Sequence, residues 1–239
     1  MLALVLAASG TALATGLGAV PVFILGPRAE ALRPGLLGLA AGVMSVAAVA
    51  GLLLPAWDEG TPLDVIVGST VGVGFLLGAR RVFGHRAASV TAAERTSALV
   101  FLVLLVHSLP EGFALGTAYA SETEGLAAFV VLAIAIQNIP EGTSVAIPLA
   151  AAGYGASRQF WAAVATSLPQ PVGAVIAFLL VEQVSALLPV SFAFAAGAML
   201  ALAAIELVPS ALRANAPMAV AGAAGGAAIM LVFSWLLGV

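Results

Sequence analysis

Along most of the chain apolar residues run without a break for about twenty positions. A short polar or glycine- and proline-containing stretch follows, and the pattern repeats. This is neither the 3.6-residue alternation of a surface helix nor the two-residue alternation of a half-buried strand. Each run is long enough to cross the hydrocarbon core as a helix. The runs predict spans at 3–26, 35–56, 62–81, 97–119, 125–149, 159–181, 188–210 and 217–238. The third is the weakest, because only 65–79 is free of charge between Asp64 and Arg80. The first resembles a signal peptide, but it has no positive n-region and its apolar run continues to Pro27 with no clear cleavage site, so it reads as a span. Connections are short, so 1–239 is expected to be a single transmembrane domain: an all-α integral membrane fold of eight helices.

Composition agrees. Apolar residues make up 62% of the 239 positions and charged residues 8%, and mean hydropathy is +1.17. A soluble domain would carry charge on about a quarter of its residues, so the bilayer is the expected surrounding. Cysteine is absent, which excludes disulfides and thiolate metal sites. Net charge is −3 with no basic run, so nucleic acid is not an expected partner.

Charge placement sets the topology. The eight basic residues are all arginine: Arg28, Arg33, Arg80, Arg81, Arg86, Arg95, Arg158 and Arg213. They fall in every second connection or at its edges. The other connections carry Asp58, Glu59, Glu122, Glu124 and Glu182. By the positive-inside rule the arginine side is cytoplasmic and both termini are outside. The longest cytoplasmic connection is then 82–96. It holds His85, which reads either as a metal contact or as a solvated loop histidine. The acidic outer side could concentrate cations, and it is equally what the topology requires.

Within the spans the ionisable residues are few: His107 and Glu111 in the fourth, Glu141 in the fifth and Glu206 in the seventh. Intramembrane charge is costly, and it normally faces a cavity, a partner or a transported ion. The fourth span reads HSLPEG from His107 and the fifth reads QNIPEG from Gln137. In each, the first residue and the glutamate are four apart, on one helix face. Consecutive spans run antiparallel and both motifs lie near mid-span, so the two faces can meet at the midplane. Pro110 and Pro140 lack an N–H, which strips the carbonyls of Val106 and Ile136 of their usual donors and suggests a break in each helix. Gly112 and Gly142 allow close approach of another helix or a hydrated ion. Two carboxylates in an apolar setting must share protons or hold a cation, and a divalent ion would balance Glu111 and Glu141. A histidine nitrogen suits zinc, iron, nickel or copper better than calcium or magnesium. An N/O set without thiolate suits an ion that is bound and released.

On these motifs the chain resembles the ZIP (Zrt/Irt-like) metal transporters, especially their prokaryotic GufA-like branch. Supporting blocks are GLGAVPVF, AAGVMSVAA with LLLPA, SLPQPVGA, and AAGAML with ELVPS. The resemblance covers nearly the whole chain. It implies a 3+2+3 arrangement of eight helices with the N-terminus outside, and an inverted relation between the first three spans and the last three. It implies primary metal ligands at His107, Glu111, Gln137 and Glu141, and a second metal position at Ser108, Asn138 and Gln170. Because Asn138 and Gln170 are neutral here, that second position is expected to be weak or vacant. Glu206 is implied as a contact on the exit route, the alternative being an interfacial carboxylate reaching water. Met44 is implied as a pore-lining residue, the alternative being core packing.

The resulting expectation is a cell-membrane transporter moving Zn2+, or Fe2+, Mn2+ or Cd2+, toward the cytoplasm. It is a non-enzyme with no catalytic cofactor, its partners being the metal ion, the lipid bilayer and, as relatives suggest, a second copy in a homodimer. A carboxylate-gated channel would share the ligands. An intramembrane metallohydrolase would need three firm ligands and more histidine, and no HExxH is present.

Overall fold

The structure, a computed structural model, describes residues 1–86 and 92–239, apart from the side chains of residues 27, 83–86 and 92–105. Among the described residues there is no strand. In chain order the helices are α1 (Leu2–Leu17), α2 (Val20–Leu25), α3 (Arg33–Ala48), α4 (Leu54–Glu59), α5 (Pro62–Arg86), α6 (Ala92–Ala120), α7 (Leu126–Ala151), α8 (Ala156–Thr166), α9 (Pro169–Gln183), α10 (Leu188–Leu202) and α11 (Val208–Leu237). Short 3₁₀ turns lead into α3 and α10. π-helical turns at Val49–Leu53 and Ala203–Leu207 join α3 to α4 and α10 to α11.

Six helical segments among the described residues are long and apolar enough to cross a membrane: Leu2–Leu25, Arg28–Glu59, Pro62–Val82, Leu126–Ala151, Ala156–Gln183 and Ser185–Leu237. The first five coincide with the first, second, third, fifth and sixth predicted spans. The last takes in the seventh and eighth, and its helical path is interrupted at Asn215, where φ is −163° and ψ is 98°. The fourth predicted span lies within α6. Helices α5 and α6 also extend into what the sequence reads as the 82–96 connection. The side chain of His85 lies outside the described residues.

Lipid-like and protein-like surfaces divide as a membrane protein requires. Large apolar side chains such as Leu2, Ile24, Ile66, Trp161 and Trp235 point outward. The interior is rich in alanine, with a few large side chains such as Phe129, Phe192 and Met44. In lipid, helices gain little from hiding apolar surface from one another, and small residues let backbones touch. The closest pairings are α3 with α11, α5 with α10, α6 with α9, and α1 with α7.

The two Pro-Glu-Gly motifs do not break their helices. α6 runs through Pro110 and α7 runs through Pro140. The breaks fall instead in the neighbours, between α1 and α2 at Gly18–Ala19 and between α8 and α9 at Ser167–Leu168. Each break has a proline just downstream, Pro21 and Pro169, which removes a donor from the ladder. At the motifs themselves, neighbouring helices pack tightly enough to hold a continuous helix through a proline.

Candidate metal site

The motif glycines set how closely the neighbours come. A methyl group at Gly112 would collide with the carbonyl oxygen of Gln170 on α9, and one at Gly142 with that of Thr15 on α1. Of the two sequence readings, close helix approach is the one the packing uses at both positions. Hydroxyls fasten the same contacts. Ser108 Oγ donates to the carbonyl of Thr166 at 2.9 Å. Thr143 Oγ1 donates to that of Gly18 at 2.7 Å. Both acceptors lie where the neighbouring helix breaks and its own donors have moved elsewhere. Thr15 and Ser167 join α1 to the α8–α9 break through a hydroxyl pair at 2.6 Å.

These contacts bring α1, α6, α7 and α9 around a buried polar layer. His107, Ser108, Glu111, Gln137, Asn138, Glu141 and Gln170 are each at most 2% exposed. Glu111 is the best-held of them. Gln137 Nε2 donates to its Oε1 at 2.7 Å, and Gln170 Nε2 donates to its Oε2 at 2.6 Å. Gln170 Oε1 accepts from Thr11 Oγ1 at 3.2 Å and Asn138 Nδ2 at 3.3 Å, and Asn138 Nδ2 also donates to the Thr11 carbonyl at 2.8 Å. The result is a chain of amides behind one carboxylate.

Polar atoms without partners make up the other half of the layer. Both ring nitrogens of His107, Gln137 Oε1, Asn138 Oδ1 and Glu141 Oε1 are buried and have no hydrogen-bond partner among the described residues. Such groups are costly in an apolar interior. Even so, among the described residues no three His, Asp or Glu side chains are gathered into a group that could hold a metal ion as they stand. Any coordination sphere here needs the carboxamide oxygens as well, or a shift of side chains.

Glu206 sits in the π-helical turn after α10, with its side chain 18% exposed. Its Oε1 pairs with Arg80 Nη2 at 2.9 Å, and its Oε2 faces His107 Nε2 at 3.4 Å. The second distance is beyond the usual hydrogen-bond range. Met44 is fully buried in the principal apolar cluster. Sequence reasoning missed Arg80, taken only as a topology marker, and the threonines of α1. Thr11 and Thr15 are polar, one turn apart in an otherwise apolar span, and that spacing was the available signal.

Residues 84–234 match the family model described as ZIP zinc transporter. The zinc transporter GufA of Myxococcus xanthus is 33% identical over 94% of this chain and 95% of its own length. The zinc transporter ZIPB of Bordetella bronchiseptica is 32% identical over 94% of this chain and 78% of its own length. A relative from Arabidopsis thaliana is 36% identical over 89% of this chain, which spans only 35% of that longer protein.

Proposed function

The chain belongs to the ZIP zinc transporter family, and we propose that it carries a divalent metal ion across the cell membrane toward the cytoplasm. Zn2+ is the first candidate, with Fe2+, Mn2+ and Cd2+ as the others. The chain crosses the bilayer eight times, with both termini outside. The Asn215 interruption supports reading Ser185–Leu237 as two passes; an unbroken helix of 53 residues would be about 80 Å long, far more than the roughly 30 Å hydrocarbon core.

The observation that carries the reading is the set of unpartnered acceptors on α6 and α7: His107, Gln137 Oε1 and Glu141 Oε1, beside the carboxylate of Glu111. Buried lone pairs that lack a partner are stabilised by a cation, and the two glutamates match the charge of a divalent one. The ion would be held by His107, Glu111, Gln137 and Glu141 near the membrane midplane. Metal and proton compete for the same carboxylates, so ligation releases protons. One ion is expected. At the second position, Asn138 donates its N–H to Gln170 Oε1 and Gln170 donates its own to Glu111, and neither neutral amide can balance the charge of a second divalent ion. The chemistry is transport without catalysis.

The test is zinc uptake into proteoliposomes over a range of concentrations, comparing the wild type with Glu141→Ala. Saturable uptake that the substitution abolishes supports the site. Uptake that persists in Glu141→Ala overturns it.

A further inference from the structure

Arg80, on α5, reaches Glu206 in the π-helical turn, and Glu206 in turn faces His107 on α6. Exposure rises along this line. His107 is 2% exposed, and the side chains of Glu206 and Arg80 are 18% and 32% exposed. The three residues therefore lead from the buried polar layer toward the arginine-bearing end of the bundle. Glu206 uses one oxygen for the guanidinium and turns the other toward the imidazole. Among the described residues Arg80 Nη1 is buried with no hydrogen-bond partner, and Glu206 is the acid paired with this guanidinium.

A divalent ion leaving His107 along this line meets the free oxygen of Glu206 next. A bare carboxylate in this half-buried setting would bind it firmly and release it slowly. An arginine is charged at any physiological pH and cannot be neutralised by desolvation as a lysine can. It therefore cancels much of the charge of Glu206 permanently. It is also a tethered rival for the same oxygens, ready to close over Glu206 once the ion has gone. We propose that Arg80 is the residue that sets the rate of metal release, by keeping Glu206 a weak, transient contact for the ion. Arg80 is a positioning residue in this scheme, since it acts through Glu206 and does not touch the ion. The inference rests on the transport reading above and adds to it the residue that governs the last step.

The experiment compares the wild type, Arg80→Gln and Arg80→Lys in zinc uptake, alongside equilibrium zinc binding to the purified proteins by calorimetry. With the guanidinium removed, zinc should bind more tightly, on the order of tenfold, the scale on which groups behind the ligands tune a metal site. The apparent KM and the maximal rate of uptake should fall together, and Arg80→Lys should restore part of both. A lower maximal rate at unchanged KM and unchanged affinity would mean that the pair only holds the fold, and would overturn the proposal. If Arg80→Gln does not fold, the double variant Arg80→Gln/Glu206→Gln, which leaves no orphaned charge, is compared with Glu206→Gln. Equal zinc affinity supports action through Glu206, and tighter binding in the double variant overturns it. Failure of the transport reading is separate. It shows as absent zinc binding in the wild type, or as binding that Glu141→Ala leaves intact.

Discussion

The HSLPEG turn of α6 leans on the break between α8 and α9, and the QNIPEG turn of α7 leans on the break between α1 and α2. In both, a glycine meets a neighbour's carbonyl and a hydroxyl bonds to a carbonyl freed at the break. The frameworks are counterparts, but the glutamates differ. Glu111 has an amide on each oxygen. Glu141 keeps an oxygen with no donor among the described residues. One carboxylate is thus fixed in place by the protein and the other is left for something the protein does not supply. In the proposed transport site, such a pair would supply one rigid ligand to define the position of an ion and one free ligand to respond to it.

The sharpest way to break this comparison is to replace each glutamate by its amide. Zinc uptake should fall by at least about 100-fold in both Glu111→Gln and Glu141→Gln, because either change removes a ligand and half of the balancing charge. Stability should separate them. At position 111 a glutamine replaces the two bonds that Gln137 and Gln170 make to a carboxylate by weaker bonds to a neutral amide, at about 1–3 kcal/mol. At position 141 no donor opposes the change, so the metal-free protein should be unharmed or slightly steadier. Thermal unfolding in detergent without metal reads the difference, and equal melting losses would refute the assignment of fixed and free ligands.

Packing gives the next largest effect. Gly142→Ala drives a methyl group into the backbone of Thr15, which cannot move as a flexible side chain would. The expected loss is about 1–3 kcal/mol, seen as a lower melting temperature. Gly112→Ala should behave alike against Gln170 if the two frameworks are true counterparts.

The neutral second position is tested by Asn138→Asp. Asn138 Nδ2 donates to the Thr11 carbonyl and to Gln170 Oε1, so an aspartate there faces two acceptors and lacks a donor. The metal-free variant should melt lower than the wild type, and zinc should restore more stability to it than to the wild type. Calorimetry should show a second equivalent of zinc. If the stoichiometry stays unchanged, the amides are not what keeps a second ion out.

Much of this was legible from the sequence because membrane spans announce themselves. Twenty apolar residues leave few alternatives, and His107, Glu111, Gln137 and Glu141 stood out against them. Reading Pro110 and Pro140 as breaks was wrong for a physical reason. Whether a proline breaks a helix depends on what packs against it, and here the helices carrying Pro110 and Pro140 stay continuous while their neighbours break at Gly18–Ala19 and Ser167–Leu168. The partners of Glu206 and Gln170 were not legible either. Arg80 and Glu206 lie far apart in the chain, as do Gln170 and Thr11. No spacing rule links residues that only tertiary packing brings together.

The smallest expected effect tests how far the amide chain behind Glu111 depends on its last member. Thr11 Oγ1 has a single proton, divided between the carbonyl of Ala8 at 2.9 Å and Gln170 Oε1 at 3.2 Å. The shorter bond is local to α1, and Gln170 Oε1 retains Asn138 as a second donor. Thr11→Val keeps the shape of the side chain and removes only the hydroxyl. It should therefore cost about 0.5–1.5 kcal/mol, the net value of one ordinary hydrogen bond, and leave the zinc KM nearly unchanged. A loss of uptake approaching that of Glu111→Gln would mean that Gln170 is aimed from α1. The rigidity of Glu111 would then be a property of the contact between α1 and α9, with the motif on α6 only presenting the carboxylate.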